Sequence, residues 1–452
     1  MTDFGVWNAV SHSMVTLNDD VQLKHHGLEK TASYIIRKNG VYYEAIKGGT
    51  STGTGTIAYG GADNAGTVDG TDATAVIQAA LDNLSAGRTW KEKVAFKGNM
   101  EINDSVTVPN YTIIDLFGAK ITQTANHSIF TVSANHNIEF LNGILDVDGL
   151  NVGIYGIDEC HDILVDNVEI QNASIAQQGI YLRGYNLHVQ CCKILGAGAA
   201  ILLGRSESDI FTSYNVWAIN NYIYNTVDDG IAFDLVQEGH IIGNIIDRND
   251  NHTVAGSSGI KMFGACKNIN ILGNTVKNVG EGTFGINDDI DSDDELIDGA
   301  VIVGNTIIGS STTDTRGILI AGNVSYFPVN VVVDSNVIKD VDHGIHFFYA
   351  HDCNLGKNNV FSGCNTDTYF EGTSGGSIVY EDYGWEAVTT SLVVTHSLPC
   401  PGGIQPNCIL LTPVGAGTGD LYITDMDETT FKINISGAGT FSIYWHAIYK
   451  TP

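Results

Sequence analysis

Apolar residues recur two positions apart in short runs along most of the chain. From residue 150 to residue 350, a small residue followed by Ile returns at steps of 21 to 32 residues, and the residue two positions after the Ile is usually apolar. Since successive side chains of a strand point to opposite faces, both apolar positions should face one interior. The pairs begin at Gly156, Gly179, Ala200, Gly230, Gly259, Gly285, Gly317 and Gly344. This repeat predicts a solenoid of stacked coils built from short parallel strands.

Asparagine residues recur along the same repeat. An asparagine stands two residues before an apolar residue at Asn221, Asn244, Asn274, Asn305, Asn336 and Asn359. Strands of successive coils stack about 4.8 Å apart, so identical side chains can form a hydrogen-bonded ladder. We therefore expect these asparagines to point inward and to have a structural role.

The two ends of the chain follow other patterns. Residues 1–60 form an N-terminal segment with a strand-like stretch, SYIIRKNGVYYEAIKG. Next, DGTDATAVIQAALD predicts an amphipathic helix that Asp72 or Thr74 can cap, and such a helix would cover the open end of the solenoid. We assign residues 61–378 to the solenoid with its capping helix. Short alternating strands over residues 380–452 predict a small β-sandwich.

Composition and charge limit the partners. Residues are 43% hydrophobic and only 16% charged, which is typical of a folded protein. A net charge of -29 argues against nucleic acid and against an anionic membrane surface, because both attract Lys and Arg. No apolar run approaches the ~20 residues of a membrane span, and the start of the sequence lacks the pattern of a signal peptide. We expect an extracellular or virion-associated protein.

The sequence resembles a known superfamily in three places. DGTDATAVIQAALD, the coils marked by GI and GN-x-[IV], and the C-terminal stretch that ends in TFSIYWHAIY resemble the pectate-lyase-type β-helix superfamily, which includes phage tailspike depolymerases. The resemblance implies an all-β fold: a right-handed parallel β-helix with an N-terminal capping helix and a small C-terminal β-sandwich. It also implies a polysaccharide partner and a homotrimer. This superfamily contains hydrolases, lyases, epimerases and receptor binders, so the resemblance does not select the reaction.

Side chains between the inward positions should form an outward face. If the first and third residues after each glycine point inward, the second and fourth point outward and stack in parallel columns. Aromatic and polar side chains in such columns suit a sugar-binding groove, since rings stack on pyranose faces and polar groups hold hydroxyls. From these columns and the position before the glycine, we predict as substrate-binding residues Tyr181, Arg183, Phe263, Asn287, Arg316, His343 and His346.

Three aspartates are candidates for glycoside hydrolysis, which needs one acid and one carboxylate that activates water or attacks. Asp234 and Asp289 lie two coils apart in one column, roughly 9 to 10 Å by the stacking distance. That value approaches the upper end of the range for inverting enzymes, about 6.5 to 9.5 Å. Asp229 precedes the glycine, and the like charge of Asp228 should raise its pKa. DDGIAF at 228–233 resembles the paired-aspartate motif of polygalacturonases. Each aspartate could instead be a turn or surface residue.

A glycoside hydrolase is the function that we favour, and two alternatives stay open. A polysaccharide lyase or uronan epimerase needs a base and cations, for which Lys261, Arg183 and Tyr181 are available. A non-catalytic glycan-binding tailspike would use the same face without any chemistry.

No cofactor is required by these reactions. The acidic run NDDIDSDDELIDG nevertheless places Asp291 and Asp293 among clustered carboxylates that could bind Ca2+. A solvated loop between coils is the alternative interpretation of this run.

Overall fold

The computed structural model describes residues 5–7, 14–16, 32–39, 42–47, 56–57, 72–149, 151–173, 177–204, 212–248, 256–289, 297–323, 325–350, 352–371, 379–388, 391–395, 408–414, 421–426, 430–435 and 441–450. The chain divides into two units, residues 1–226 and 227–452. The three domains predicted from the sequence, with boundaries near residues 60 and 378, stay predictions.

The first unit begins with strands and one helix. Its N-terminal strands are β1 (Gly5–Trp7), β2 (Met14–Thr16), β3 (Tyr34–Asn39), β4 (Tyr42–Lys47) and β5 (Thr56–Ile57). The helix α1 spans Ala73–Asp82. β3 and β4 pair as an antiparallel hairpin, and β3 also pairs in parallel with β6. The strand-like stretch predicted in the N-terminal segment is therefore a hairpin attached to the first coil.

Further strands of the first unit follow the helix. They are β6 (Glu92–Lys97), β7 (Met100–Ile102), β8 (Val106–Thr107), β9 (Thr112–Asp115), β10 (Lys120–Gln123), β11 (Phe130–Thr131), β12 (His136–Asp146), β13 (Ile154–Gln171), β14 (Ile180–Gln190), β15 (Lys193–Ala197), β16 (Ile201–Gly204), β17 (Ser213–Ile219) and β18 (Tyr222–Thr226). Pairing between successive coils is parallel, as in β9 with β12, β12 with β13 and β13 with β14.

Helix α1 has the cap and the apolar face that its sequence predicts. The Asp72 carboxylate accepts hydrogen bonds from the main-chain N–H groups of Thr74 and Ala75, which have no partner inside the helix. The helix contacts β7 and β8 of the first coil. Its buried apolar residues include Val76, Ile77, Ala80 and Leu81. The helix therefore covers the apolar first coil.

The Gly-Ile pair of one coil in the first unit was assigned wrongly from the sequence. The sequence offers two Gly-Ile pairs, Gly153-Ile154 and Gly156-Ile157, and the second was predicted to belong to the repeat. In the structure Ile154 pairs in register with Ile180 and is fully buried, whereas Ile157 is partly exposed. The two pairs lie only three residues apart, so packing against the next coil decides between them.

The second unit continues with strands of the same kind. They are β19 (Ile231–Asp234), β20 (Val236–Ile242), β21 (Ile245–Asp247), β22 (Ser258–Phe263), β23 (Lys267–Leu272), β24 (Thr275–Val279), β25 (Phe284–Asp289), β26 (Val301–Val303), β27 (Thr306–Gly309), β28 (Arg316–Ala321), β29 (Val332–Asp334), β30 (Val337–Lys339), β31 (His343–Phe348), β32 (Asn354–Leu355), β33 (Val360–Ser362) and β34 (Thr366–Glu371).

The strands that follow the repeat glycines form one parallel sheet of the second unit. β19, β22, β25, β28, β31 and β34 pair in that order. The first residues after the glycines are fully buried in register: Ile231, Ile260, Ile286, Ile318 and Ile345. The third residues are also fully buried: Phe233, Met262, Asp288, Ile320 and Phe347. Both inward columns are confirmed, and with them the predicted right-handed parallel β-helix.

The repeat glycines are required where successive coils approach each other closely. A Cβ on Gly230 would lie 2.4 Å from the carbonyl oxygen of Gly259, and a Cβ on Gly259 would lie 2.7 Å from that of Gly285. Both distances are shorter than any that real Cβ atoms keep. A side chain at these positions would force the coils apart, so glycine is needed for its size.

The asparagine ladder predicted from the sequence runs through the second unit. Nδ2 of Asn244 donates to Oδ1 of Asn274 at 2.9 Å, and the same bond joins Asn274 to Asn305, Asn305 to Asn336, and Asn336 to Asn359. Each accepting Oδ1 also receives the main-chain N–H of the asparagine before it. The buried amides are therefore satisfied by one another, which fixes the register of the coils.

The C-terminal strands form two antiparallel sheets. They are β35 (Val379–Val388), β36 (Ser391–Thr395), β37 (Cys408–Val414), β38 (Leu421–Thr424), β39 (Thr430–Ile435) and β40 (Phe441–Lys450). β40 pairs with β35 and β37, while β39 pairs with β36 and β38. The rings of Phe431 and Trp445, one from each sheet, meet edge to face at 5.2 Å. Within the described ranges, the structure contains no helix with the length and apolar character of a membrane span.

Candidate functional site

The outward face of the second unit consists of three columns of residues: those before the repeat glycines, and the second and fourth residues after them. The register places Lys261 beside Asn287, then Leu319 and His346. The column before the glycine contains Ser258, Phe284, Arg316 and His343 in register. Most of the candidate residues therefore lie on one sheet of one unit.

Asp229 is a buried carboxylic acid immediately before this sheet. It is 7% exposed, and its Oδ1 accepts a 2.7 Å hydrogen bond from the main-chain N–H of Ser258 in the next coil. Burial raises the pKa of Asp229 to about 6; Lys261 and Arg248 oppose the rise and Asp228 adds to it. The predicted direction is therefore confirmed, but loss of hydration is a larger cause than the like charge of Asp228. Asp229 can exchange a proton near neutral pH.

Lys261 is the cation that acts most strongly on Asp229. Its side chain is half-buried, and its Nζ lies 4.8 Å from the centroid of the Phe263 ring. This separation is typical of a cation–π contact. The structure thus brings together an acid, a cation and an aromatic ring that were predicted from separate columns.

Asp234 and Asp289 occupy the outermost column. The register Asp234, Phe263, Asp289 places the two aspartates two coils apart, so their backbones lie roughly 9 to 10 Å from each other. Asp234 is 8% exposed. The side chain of Asp289 lies outside the described part of the chain. Asp229 and Asp234 are five positions apart in the sequence, so their Cα atoms lie at most roughly 16 Å from each other.

Two polar residues are buried beside this group. Asn287 is 1% exposed, and Ser258 is fully buried. The Oδ1 atom of Asn287 and the Oγ atom of Ser258 have no hydrogen-bond partner among the described residues. An unsatisfied buried polar atom costs about 1–3 kcal/mol.

Arg316 and His343 begin a second cluster, which lies further along the outward face. The Arg316 guanidinium lies 5.4 Å from the centroid of the Phe284 ring, and its Nε–H donates to Nδ1 of His346 at 3.1 Å. The Tyr369 ring lies 4.5 Å from the ring of His343 and 4.8 Å from that of His346. Three predicted substrate-binding residues therefore contact one another, and Tyr369, which the sequence did not single out, joins them.

His346 is a buried imidazole that accepts a hydrogen bond and is neutral at neutral pH. It is only 4% exposed, although its column was predicted to be solvent-facing. Burial, together with the charges of Arg316 and His343, lowers the pKa of His346 to about 4. Since Nδ1 accepts from Arg316, the neutral ring carries its proton on Nε2, which lies 3.5 Å from a Glu371 carboxylate oxygen.

Tyr181 and Arg183 belong to the first unit, where both are 7% exposed. The Tyr181 ring lies 5.6 Å from the Tyr155 ring. Nη2 of Arg183 lies 3.9 Å from an oxygen of Asp158. As substrate-binding residues, or as groups of a lyase, they stay predictions.

Asp291 and Asp293 lie outside the described residues. Where the structure describes the chain, no group of three or more His, Cys, Asp or Glu side chains is arranged to hold a metal ion. Asp288, at the start of the acidic run, is fully buried and faces the interior. The calcium site stays a prediction.

Arg248 was missed by the sequence analysis. It follows β21 and is fully buried, and its guanidinium lies close enough to Asp229 to lower the pKa of that carboxyl. The available signal was strand alternation, because Ile246 points inward and the residue two positions later should do the same. A charged residue at an inward position is exceptional, and Arg is rarely buried unless its hydrogen bonds are made inside the protein.

No family model matches the sequence, and no curated protein matches it. The fold is similar to the A-module of a mannuronan C-5 epimerase from Azotobacter vinelandii, with 14% identity, a TM-score of 0.48, and coverage of 67% of this chain and 94% of that one. It is also similar to the Dettilon tailspike protein, with 13% identity, a TM-score of 0.45, and coverage of 83% and 91%.

A third similar structure is the tailspike protein of E. coli bacteriophage HK620 in complex with a pentasaccharide. The identity is 9%, the TM-score is 0.39, and the match covers 99% of this chain and 97% of that one. At such identities and TM-scores the matches carry no argument about the activity of this chain. The parallel β-helix is established by the strand pairing itself.

Proposed function

We propose that this chain is a polysaccharide-cleaving enzyme in which Asp229 transfers the proton. The observation that supports the proposal is the buried Asp229 carboxyl, whose pKa burial raises to about 6, beside the Lys261 ammonium group. An acid or base whose pKa lies near the working pH is what proton transfer in catalysis requires. The aromatic and polar side chains of the same outward face suit a sugar chain.

Glycoside hydrolysis is the reaction that we favour. Protonated Asp229 gives its proton to the leaving glycosidic oxygen while the bond to the anomeric carbon breaks. Asp234, or Asp289 in the same column, accepts a proton from the water whose oxygen bonds to that carbon. Inversion requires the two carboxyl groups to lie about 6.5 to 9.5 Å apart, which leaves room for the water molecule, whereas retention requires about 5 to 5.5 Å.

Elimination or epimerisation of a uronic acid is the second candidate, and the position of Lys261 favours it. Ionised Asp229 would take the proton from C5, and the Lys261 ammonium would neutralise the uronate carboxylate that becomes more negative in the transition state. In a lyase the electron pair then forms a double bond between C4 and C5, and the C4–oxygen bond breaks as the leaving oxygen takes a proton from water. In an epimerase a proton from water returns to C5 on the opposite face.

The products distinguish these reactions. We would incubate the protein with a panel of neutral and acidic polysaccharides and measure both new reducing ends and the absorbance of unsaturated uronates. Reducing ends without unsaturation support the hydrolase, and reducing ends with unsaturation support the lyase. Binding without either product contradicts the proposed enzyme and supports a glycan-binding spike.

Two variants connect the products to the residues. Lys261→Ala should weaken substrate affinity in a hydrolase but lower turnover in a lyase. Asp104→Asn is the matched control, because the Asp104 side chain is 67% exposed and lies in the first unit. It should retain wild-type turnover on every substrate.

A further inference from the structure

The side chain of Arg248 enters the interior of the second unit beneath the column that precedes the repeat glycines. Its Nη1 donates to the carbonyl oxygens of Ser257 at 3.1 Å and Phe284 at 3.4 Å. Its Nη2 donates to the carbonyl oxygen of Asp228 at 3.0 Å and to the Oγ atom of Ser257. One guanidinium therefore binds the main chain of three successive coils.

Two of these bonds lead directly to Asp229. The peptide group between Ser257 and Ser258 accepts from Arg248 through its carbonyl, and its N–H donates to Oδ1 of Asp229 at 2.7 Å. The peptide group between Asp228 and Asp229 accepts from Arg248 through its own carbonyl. One peptide group therefore connects the guanidinium to the carboxyl through hydrogen bonds, and a second connects it to the main chain of Asp229 itself. Hydrogen bonds in such a chain polarise and strengthen one another.

We propose that Arg248 is a positioning residue, which fixes from inside the coil the peptide group that donates to the Asp229 carboxyl and the peptide group that precedes Asp229. The proposal rests on the proposed function of Asp229. The guanidinium group of Arg is a planar fork of donors that can bind several carbonyl oxygens at once, which a single ammonium group cannot do. An apolar residue would pack in this interior at a lower desolvation cost, so the buried cation has a role besides packing.

The charge of Arg248 acts on Asp229 together with two other groups. Burial lowers the pKa of Arg248 to about 10, so the guanidinium is charged at neutral pH. It favours the ionised form of Asp229, as Lys261 does, whereas Asp228 opposes ionisation. Removing the guanidinium charge should therefore raise the pKa of Asp229 further and move its titration to higher pH.

The test is an NMR titration of the aspartate carboxyl carbons in the full chain, in which the Asp229 signal is identified by its loss in Asp229→Asn. In Arg248→Gln we expect the titration midpoint of Asp229 to rise above that of the wild type. Asn336→Ala is the control: it removes a buried polar residue of the ladder in the same unit. It should lower the melting temperature and leave the midpoint of Asp229 unchanged.

Arg248→Lys keeps the charge, so it provides a folded variant if Arg248→Gln does not fold. We expect its Asp229 midpoint to stay close to the wild-type value, while kcat falls at least about tenfold with little change in KM, because the carboxyl is held less precisely. An unchanged midpoint in Arg248→Gln, or a wild-type kcat in Arg248→Lys, overturns the proposal. The titration does not depend on activity, so an inactive protein whose midpoint still moves contradicts only the proposed function.

Discussion

At the scale of the residue, the raised pKa that suits Asp229 to proton transfer also lowers the free energy of unfolding at neutral pH. The pKa of an unfolded Asp is about 3.9, and burial raises that of Asp229 to about 6. A carboxyl with a raised pKa contributes stability below the unfolded value, and this contribution is lost as the pH rises through the folded value. Two pKa units correspond to about 3 kcal/mol. The ionised side chain therefore destabilises the fold at neutral pH.

Asp229→Asn should relieve this cost. The amide oxygen can still accept from the Ser258 N–H, and no charge has to be buried. We expect the variant to be more stable than the wild type at pH 8, by up to about 3 kcal/mol, and nearly equal to it at pH 4. Denaturant unfolding at the two pH values measures both differences. A variant that is less stable than the wild type at pH 8 would show that Asp229 is not an unfavourably buried carboxylate.

The pH dependence of activity follows from the same group. If Asp229 is the general acid, the fraction that carries a proton falls as the pH rises past about 6. We expect kcat/KM to decrease above that pH, and a lyase that uses ionised Asp229 to show the opposite trend. A profile of kcat/KM from pH 4 to pH 9 tests this, and a flat profile across pH 6 excludes both roles for Asp229.

Single residues were only partly predictable from the sequence. Lys261 and Phe263 were found because strand alternation places them outward, and Asp229 was found because it precedes a repeat glycine and follows a second aspartate. The near-complete burial of Asn287 and His346 was not predictable, since it depends on side chains from neighbouring coils that cover them. Strand alternation marks the position of Arg248 as inward, but Arg248 was missed because hydrophobic patterning expects an apolar residue at such a position.

At the scale of the element, the inward Ile column holds each coil to the next. Ile260→Asp would place an unpaired charge in a fully buried position. We expect a loss of several kcal/mol of unfolding free energy or an insoluble protein. Thr313→Asp, at an exposed position of the same unit, is the control and should change stability little. A soluble Ile260→Asp variant with the wild-type melting temperature would contradict the assignment of this column.

The repeat made the elements predictable, and it also explains the one register error. Glycine recurs because successive coils approach closely, Ile because they pack apolar side chains, and Asn because they exchange amide hydrogen bonds. Each of these residues is therefore periodic in the sequence. Around Gly153 and Gly156 two Gly-Ile pairs satisfy the same local pattern. Only the pairing of Ile154 with Ile180 distinguishes them, and that contact is not visible in one sequence.

At the scale of the whole molecule, the homotrimer expected from the sequence resemblance stays a prediction. Sedimentation equilibrium on the full chain should give about three times the mass of one chain, 48.4 kDa. A mass equal to one chain over the accessible concentration range would contradict the trimer.

The central claim is that Asp229 transfers the proton when a polysaccharide is cleaved. The most direct measurement is the turnover of Asp229→Asn on the polysaccharide that the panel identifies, compared with the wild type and with Asp104→Asn. A lost acid or base typically costs about 100-fold or more. We expect at least that loss of kcat in Asp229→Asn, with glycan binding retained and a melting temperature at least equal to the wild type. Wild-type turnover in Asp229→Asn would contradict the account.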